Sequence, residues 1–170
     1  MRRVRYAVAT SLDGYIASPG GEADWIIMDP DIDFGALFEQ FDTFLLGRRT
    51  FEAMGRAGQG GSPGIKTLVF SRTLRQQDYP KVEIVAEGVE ETVAALRAES
   101  GKDIWLFGGG SLFRSLLDAG LVDTVEVAIM PVLLGGGIPL LLPPAKQTKL
   151  KLTGHKVYKT GIVSLEYAVQ

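Results

Sequence analysis

Gly108-Gly109-Gly110 constrains this chain more than any other stretch. The apolar run Ile104 to Phe107 precedes it. Leu112, Phe113, Leu116 and Leu117 follow it at helical spacing. The run predicts a buried strand and the spacing predicts an amphipathic helix. Gly120 stands where a C-cap glycine belongs. Three successive residues without Cβ let backbone N–H groups at the helix N-terminus approach an anion, and the helix dipole favours negative charge there. The same glycines equally suit a tight turn with positive φ and close strand–helix packing. On this stretch alone both interpretations stand.

A second junction of this kind lies upstream. Thr43 to Leu46 predicts a short strand, and Gly47-Arg48-Arg49-Thr50 opens a short helix through Met54. Basic residues at a helix N-terminus oppose its dipole. Two of them together point to an anion that needs charge as well as N–H donors, against the alternative of solvated surface arginines. Ile65 to Phe70 predicts a third strand, and Ser71-Arg72 closes it with donors that suit a phosphate. Ligands of open α/β sheets sit outside the carboxyl ends of the strands, so these three ends can converge on one ligand, such as a nucleotide pyrophosphate.

The remaining pattern supplies the frame. Arg3 to Thr10 alternates, with Val4, Tyr6 and Val8 on one face and the small Ala7 and Ala9 on the other. Ser11-Leu12-Asp13-Gly14 reads as a turn. Phe34, Leu37, Phe38 and Phe41 fall at i, i+3, i+4 and i+7 and predict a helix, with Asp31 or Asp33 as its N-cap. Ala57 to Gly64 reads as a surface loop. Val82 to Ala86 predicts a strand, Glu90 to Glu99 a helix, Asp123 to Met130 a cleanly alternating strand, and Leu150 to Val169 a terminal hairpin. About eight strands and four helices result. They predict a single α/β domain over residues 1–170, with three α/β/α layers and a mixed, mostly parallel sheet whose C-terminal hairpin is antiparallel.

Composition excludes several chemistries. The chain lacks cysteine and has one histidine, His155. A His- or Cys-based metal cluster is therefore out of reach, so no metal is expected, and the thiol-free composition suits a reducing cytoplasm. A Ser-His-Asp triad would need His155, and no Gly-x-Ser-x-Gly elbow accompanies it. A net charge of −2 argues against nucleic acid as a partner. No signal peptide is expected from Met1-Arg2-Arg3 and its interrupted apolar continuation. Prolines and glycines break the apolar stretch from Met130 to Pro144, so no membrane span is expected. A Rossmann fingerprint would need glycine at Phe113, and a Walker A motif would need a lysine before Ser111.

Three segments carry a family resemblance. Leu45-Leu46-Gly47-Arg48-Arg49-Thr50-Phe51-Glu52 resembles the Met-Gly-Arg-x-Thr-Trp/Tyr-Glu segment of dihydrofolate reductases. Leu106 to Phe113 resembles their Ile-Gly-Gly-Gly segment, and Leu68 to Arg72 resembles the strand end between the two. Ser11 to Ala17 and Met130 through Gly137 are more similar to the C-terminal reductase domain of the bifunctional riboflavin-biosynthesis deaminase/reductase and its stand-alone relatives. No zinc motif of the deaminase half accompanies them.

The resemblance implies NADPH as cofactor and hydride transfer to a small pterin- or pyrimidinone-like heterocycle. It implies that Gly47, Arg48, Arg49, Thr50, Ser71 and Arg72 hold the adenosine 2′-phosphate and the pyrophosphate. Gly108, Gly109, Gly110, Ser111 and Leu112 would take the pyrophosphate. Ala9, Thr10, Ile16 and Ala17 would flank the nicotinamide. It also implies a carboxylate near the start of the first helix, as Asp31 or Asp33, although a helix cap explains either. The riboflavin branch binds a ribityl-phosphate chain, and the family often forms homodimers through the C-terminal edge of the sheet, where the Asp123–Met130 strand and the hairpin could serve. A true dihydrofolate reductase and a non-catalytic NADP-binding protein are the alternatives.

Overall fold

The computed structural model describes residues 1–55 and 61–170. Residues 57–60 of the expected Ala57–Gly64 loop lie outside the described residues. β1 (Val4–Ser11) and the short β2 (Tyr15–Ala17) open the chain. They are followed by α1 (Phe34–Phe38), β3 (Phe41–Gly47), α2 (Arg48–Ala53) and β4 (Lys66–Phe70). A 3-10 turn at Gln76–Asp78 leads into β5 (Glu83–Val85). Next come α3 (Val89–Ala98), β6 (Asp103–Gly108) and α4 (Gly110–Asp118). β7 (Thr124–Met130), β8 (Ile138–Pro139), β9 (Leu150–Val157) and β10 (Val163–Val169) complete it.

Eight of these strands form one sheet in the order β5-β4-β3-β6-β1-β7-β10-β9. All pairs from β5 to β7 are parallel, and β10 runs antiparallel to both of its neighbours. The expected mixed, mostly parallel sheet with an antiparallel terminal hairpin is what forms. β2 and β8 make a separate two-stranded ladder.

Alternation along each strand feeds two cores. Val4, Tyr6, Leu45, Leu68, Ile104, Leu106 and Val125 point to one face and pack under α3 and α4, through Val93, Leu96, Leu112, Phe113 and Leu116. Phe44, Leu46, Val69 and Trp105 point to the other face, with Phe51 of α2 and Leu37 of α1. Three layers follow from this period of two. α4 ends in a Schellman motif. The N–H of Leu121 donates to the Leu116 carbonyl (2.9 Å) and that of Gly120 to Leu117 (3.0 Å), with Gly120 at φ +71°.

Two expectations need correction. Phe41 does not extend the first helix. α1 stops at Phe38, and Phe41 starts β3 in register with Asp103, its ring 4.9 Å from Trp105. The i+7 spacing was met by a strand residue that faces the same core. The Asp123–Met130 strand cannot serve as a sheet edge, because β7 lies between β1 and β10. The edge on that side of the sheet is β9, beyond β10.

Candidate functional site

The crossovers leave β3 and β6 in opposite directions. β3 continues through α2 to β4 on its outer side, whereas β6 continues through α4, on the other face, past β1 to β7. Adjacent strands with diverging connections form a topological switch point, where open α/β sheets bind ligands. The two glycine junctions meet there. A Cβ built on Gly47 would lie 3.3 Å from the Gly109 nitrogen and 3.6 Å from the Gly108 carbonyl oxygen. Thr50 turns its hydroxyl toward the same place, 3.7 Å from a Cβ built on Gly109. Gly47 is in register with Phe70, which brings Ser71 alongside.

Backbone donors collect at this point. Gly109 is the N-cap of α4 and makes no side-chain cap bond. The N–H groups of Gly110, Ser111 and Leu112 in the first turn thus have no intrahelical acceptor. Gly47 is likewise the N-cap of α2, with no side-chain cap bond, and Arg48 and Arg49 follow it on the surface. Among the described residues, the exposed Arg48 guanidinium makes a 3.9 Å pair with Glu52. A pair at that distance between exposed groups holds the arginine weakly and leaves it able to meet another anion.

Other residues singled out from the sequence have roles within the protein. Ser71 is buried, and its hydroxyl accepts from the N–H groups of Thr73 (3.2 Å) and Leu74 (3.1 Å), which shapes the turn carrying the exposed Arg72. Leu112 sits in the core, so only its backbone reaches the cleft. Gly110 is needed for packing, since a Cβ there would lie 2.9 Å from the Leu142 side chain. Thr10 is buried, its hydroxyl donating to the Ser11 carbonyl, and Ala9 is half-buried at the C-terminal end of β1. Ile16 and Ala17 lie in β2, whose ladder with β8 places Gly137 so close that a Cβ on it would stand 2.2 Å from the Ala17 carbonyl oxygen.

The two candidate acids diverge. Asp33 caps α1, its carboxylate accepting from the Ala36 N–H at 2.9 Å. Asp31 is exposed and donates its own N–H to Asp29. No contact among the described residues joins either carboxylate to the glycine junctions.

Two carboxylates that the sequence did not single out organise the rim. Asp13 accepts from the Ser11 hydroxyl (2.7 Å) and from the N–H groups of Leu134 (3.1 Å) and Gly135 (2.7 Å). These bonds, the hydroxyl first, hold its carboxyl down to about 2 and tie the β1–β2 turn to the loop after β7. Asp29 is buried and accepts from the Thr160 hydroxyl at 2.6 Å, which keeps its carboxyl below the usual carboxylate range and pins the segment before α1 to the hairpin turn. The Asp13-Gly14 turn was a local signal for the first. Nothing local signalled the second, because Asp29 and Thr160 are distant in sequence.

Comparison with known proteins places the fold among relatives of the same architecture. A family model described as RibD C-terminal domain matches residues 2–164. The uncharacterized protein YyaP of Bacillus subtilis (strain 168) is 35% identical over 98% of this chain and 94% of its own. A crystal structure of a putative riboflavin biosynthesis protein from Shewanella sp. PV-4 superposes with a TM-score of 0.83, at 27% identity and 99% coverage of both chains. Dihydrofolate reductase from Enterococcus faecalis, complexed with NADP(H) and RAB-propyl, shares the fold with a TM-score of 0.71, at 18% identity over 99% of this chain and 96% of its own.

Proposed function

The chain belongs to the RibD C-terminal domain family, and from that membership we propose that it is an NADPH-dependent reductase that transfers hydride to a small pterin- or pyrimidinone-like heterocycle. The observation that carries this proposal is the approach of Gly47 to Gly109 at the switch point. It leaves a cradle whose own residues carry no Cβ, with the Thr50 hydroxyl turned toward it, at the α4 N-terminus. Arg48 and Arg49 follow Gly47 in sequence, and Arg72 follows Ser71. A pyrophosphate with an adjoining phosphate suits that combination of N–H donors and guanidinium groups.

Within this proposal the backbones of Gly108, Gly109, Gly110, Ser111 and Leu112 would hold the pyrophosphate. Arg48, Arg49, Thr50 and Arg72 would hold the 2′-phosphate, on a turn shaped by Ser71. Ala9, Thr10, Ile16 and Ala17 would border the nicotinamide, where small side chains permit close approach of a ring. The reduced nicotinamide supplies the hydride. The protein orients the partners and excludes water. Asp31 is the better candidate for holding a proton near the substrate, because the Asp33 carboxylate is engaged as a helix cap.

We further propose a homodimer in a reducing cytoplasm. The edge strand β9 exposes Leu150, Leu152 and Val157, which a second copy would cover. No described helix is long and apolar enough to cross a membrane.

The test is NADPH oxidation against a panel of pterins, pyrimidinones and flavin precursors, with NADPH and NADH affinities measured alongside. Turnover on one heterocycle, with a preference for NADPH, is expected. Turnover confined to dihydrofolate would identify a true dihydrofolate reductase. Tight NADPH binding without turnover on any substrate would identify a binding protein, and failure to bind NADPH would overturn the proposal.

A further inference from the structure

The two sides of the proposed cleft differ in charge and in polarity, and this difference bears on the substrate. The nucleotide side carries Arg48, Arg49 and Arg72. On the other side, the chain from Tyr6 to Gly47 contains no lysine, arginine or histidine, and its charged residues are all acids. That stretch supplies β1 from Tyr6 onward, β2, α1 and β3. The loop from Pro131 to Ala145, which closes on β2 through β8, contains no charged residue. Arg5 lies on the same face of β1, but it is buried and gives two hydrogen bonds, at 2.7 and 2.9 Å, to the Glu126 carboxylate. On the hairpin, Lys156 sits over the Tyr158 ring at 4.8 Å and helps keep Asp29 ionised.

The surface between these charges is aromatic and flat. Phe38 remains 40% exposed at the end of α1, with its ring 5.2 Å from Trp105. The half-buried Phe107 stacks on Trp105 at 4.4 Å. Beside them Ala7 and Ala9 occupy the same face of β1, and Ala128 of β7 pairs in register with Ala9. All three are half-buried. A floor of methyl groups beside stacked rings accepts a planar ring. Among the described residues this floor itself carries no cation, and the exposed Lys156, in register with Ala128 through Ser164, stands at its hairpin end, where it acts on Asp29. A phosphate or carboxylate over the floor would lose hydration there without a partner while facing the acids of the rim.

We infer that the substrate of this site is an uncharged or cationic aromatic heterocycle that carries no phosphate or carboxylate. This rests on the proposed reductase site. It separates the chain from the ribityl-phosphate substrate that its resemblance to the riboflavin reductases implies, and from a substrate with a folate-type glutamate tail.

The experiment is calorimetry on the full chain, first with NADPH and then, at saturating NADPH, with two matched pairs. One pair is a ribitylaminopyrimidinone and its 5′-phosphate, and the other is pterin and pterin-6-carboxylate. The member without the anion should bind at least about tenfold more tightly in each pair that binds, the equivalent of about 1.4 kcal/mol. Equal or tighter binding of the phosphate or carboxylate would overturn the inference while leaving the reductase site standing. Absence of binding by both uncharged members would overturn the heterocycle class. Absence of NADPH binding in the first titration would remove the site itself.

Discussion

Gly47→Ala separates a cofactor cradle from a packing turn. The Gly47 backbone, at φ −76° and ψ 162°, is open to any residue. The added methyl would lie 3.3 Å from the Gly109 nitrogen, so β3 and the start of α4 must part by a few tenths of an ångström. Alanine lowers the entropy of the unfolded chain, which stabilises by about 0.4–1 kcal/mol. It is also a poorer N-cap for α2 than glycine, which costs roughly 0.5–1 kcal/mol. These effects nearly cancel, and for a domain of this size 1 kcal/mol moves Tm by about 2–4 °C. A small change in Tm is expected. Cofactor binding should change far more, because the methyl enters the space beside the Gly109 nitrogen at the start of α4, where the proposed pyrophosphate would lie. Loss of one hydrogen bond to a charged group costs about 1.5–3 kcal/mol, or roughly 10- to 150-fold in Kd. Titration of NADPH followed by fluorescence, beside a thermal melt, measures both. Unchanged NADPH affinity in a folded Gly47→Ala variant would show that the glycines only pack.

Arg48→Ala combined with Arg72→Ala should weaken NADPH far more than NADH, by about 1.5–3 kcal/mol for each guanidinium–phosphate bond removed, and equal weakening of both cofactors would refute the 2′-phosphate assignment. Gly120→Ala places a Cβ at φ +71° and should destabilise the fold by about 1–2 kcal/mol in thermal melts while NADPH affinity is retained; an unchanged Tm would contradict the Schellman assignment. The Asp13 carboxyl titrates at about 2 in the folded state, below its ordinary 3.8, so its contribution is present above the higher value and lost as pH falls toward the lower. Asp13→Asn should accordingly flatten the fall in denaturation midpoint between about pH 4 and 2, and an unaltered profile would show that the bonds to Leu134 and Gly135 are dispensable.

Much of the architecture was legible because it is local. Alternation in β1 and β7, the continuous apolar run of β6 and the helical spacing in α3 and α4 report directly which residues are buried. Each glycine junction was visible for the same reason. The sequence could not show that β3 and β6 are neighbours, since Gly47 and Gly109 touch only through strand order. The same limit hid the bonds from Asp13 to Gly135 and from Asp29 to Thr160. Phe41 misled because a residue that opens a strand can fall on a helical period. Ser71 and Leu112 show a subtler limit. Their positions at strand and helix ends were correctly placed, but the Ser71 hydroxyl is used by its own turn and the Leu112 side chain by the core.

A crystal structure of the chain soaked with NADPH tests the account most directly. The nucleotide should lie across the carboxyl ends of β4, β3 and β6, with its pyrophosphate on the N–H groups that follow Gly109 and its nicotinamide beside Ala9. A nucleotide bound elsewhere, or a cleft whose glycines close on each other without touching it, would contradict the account.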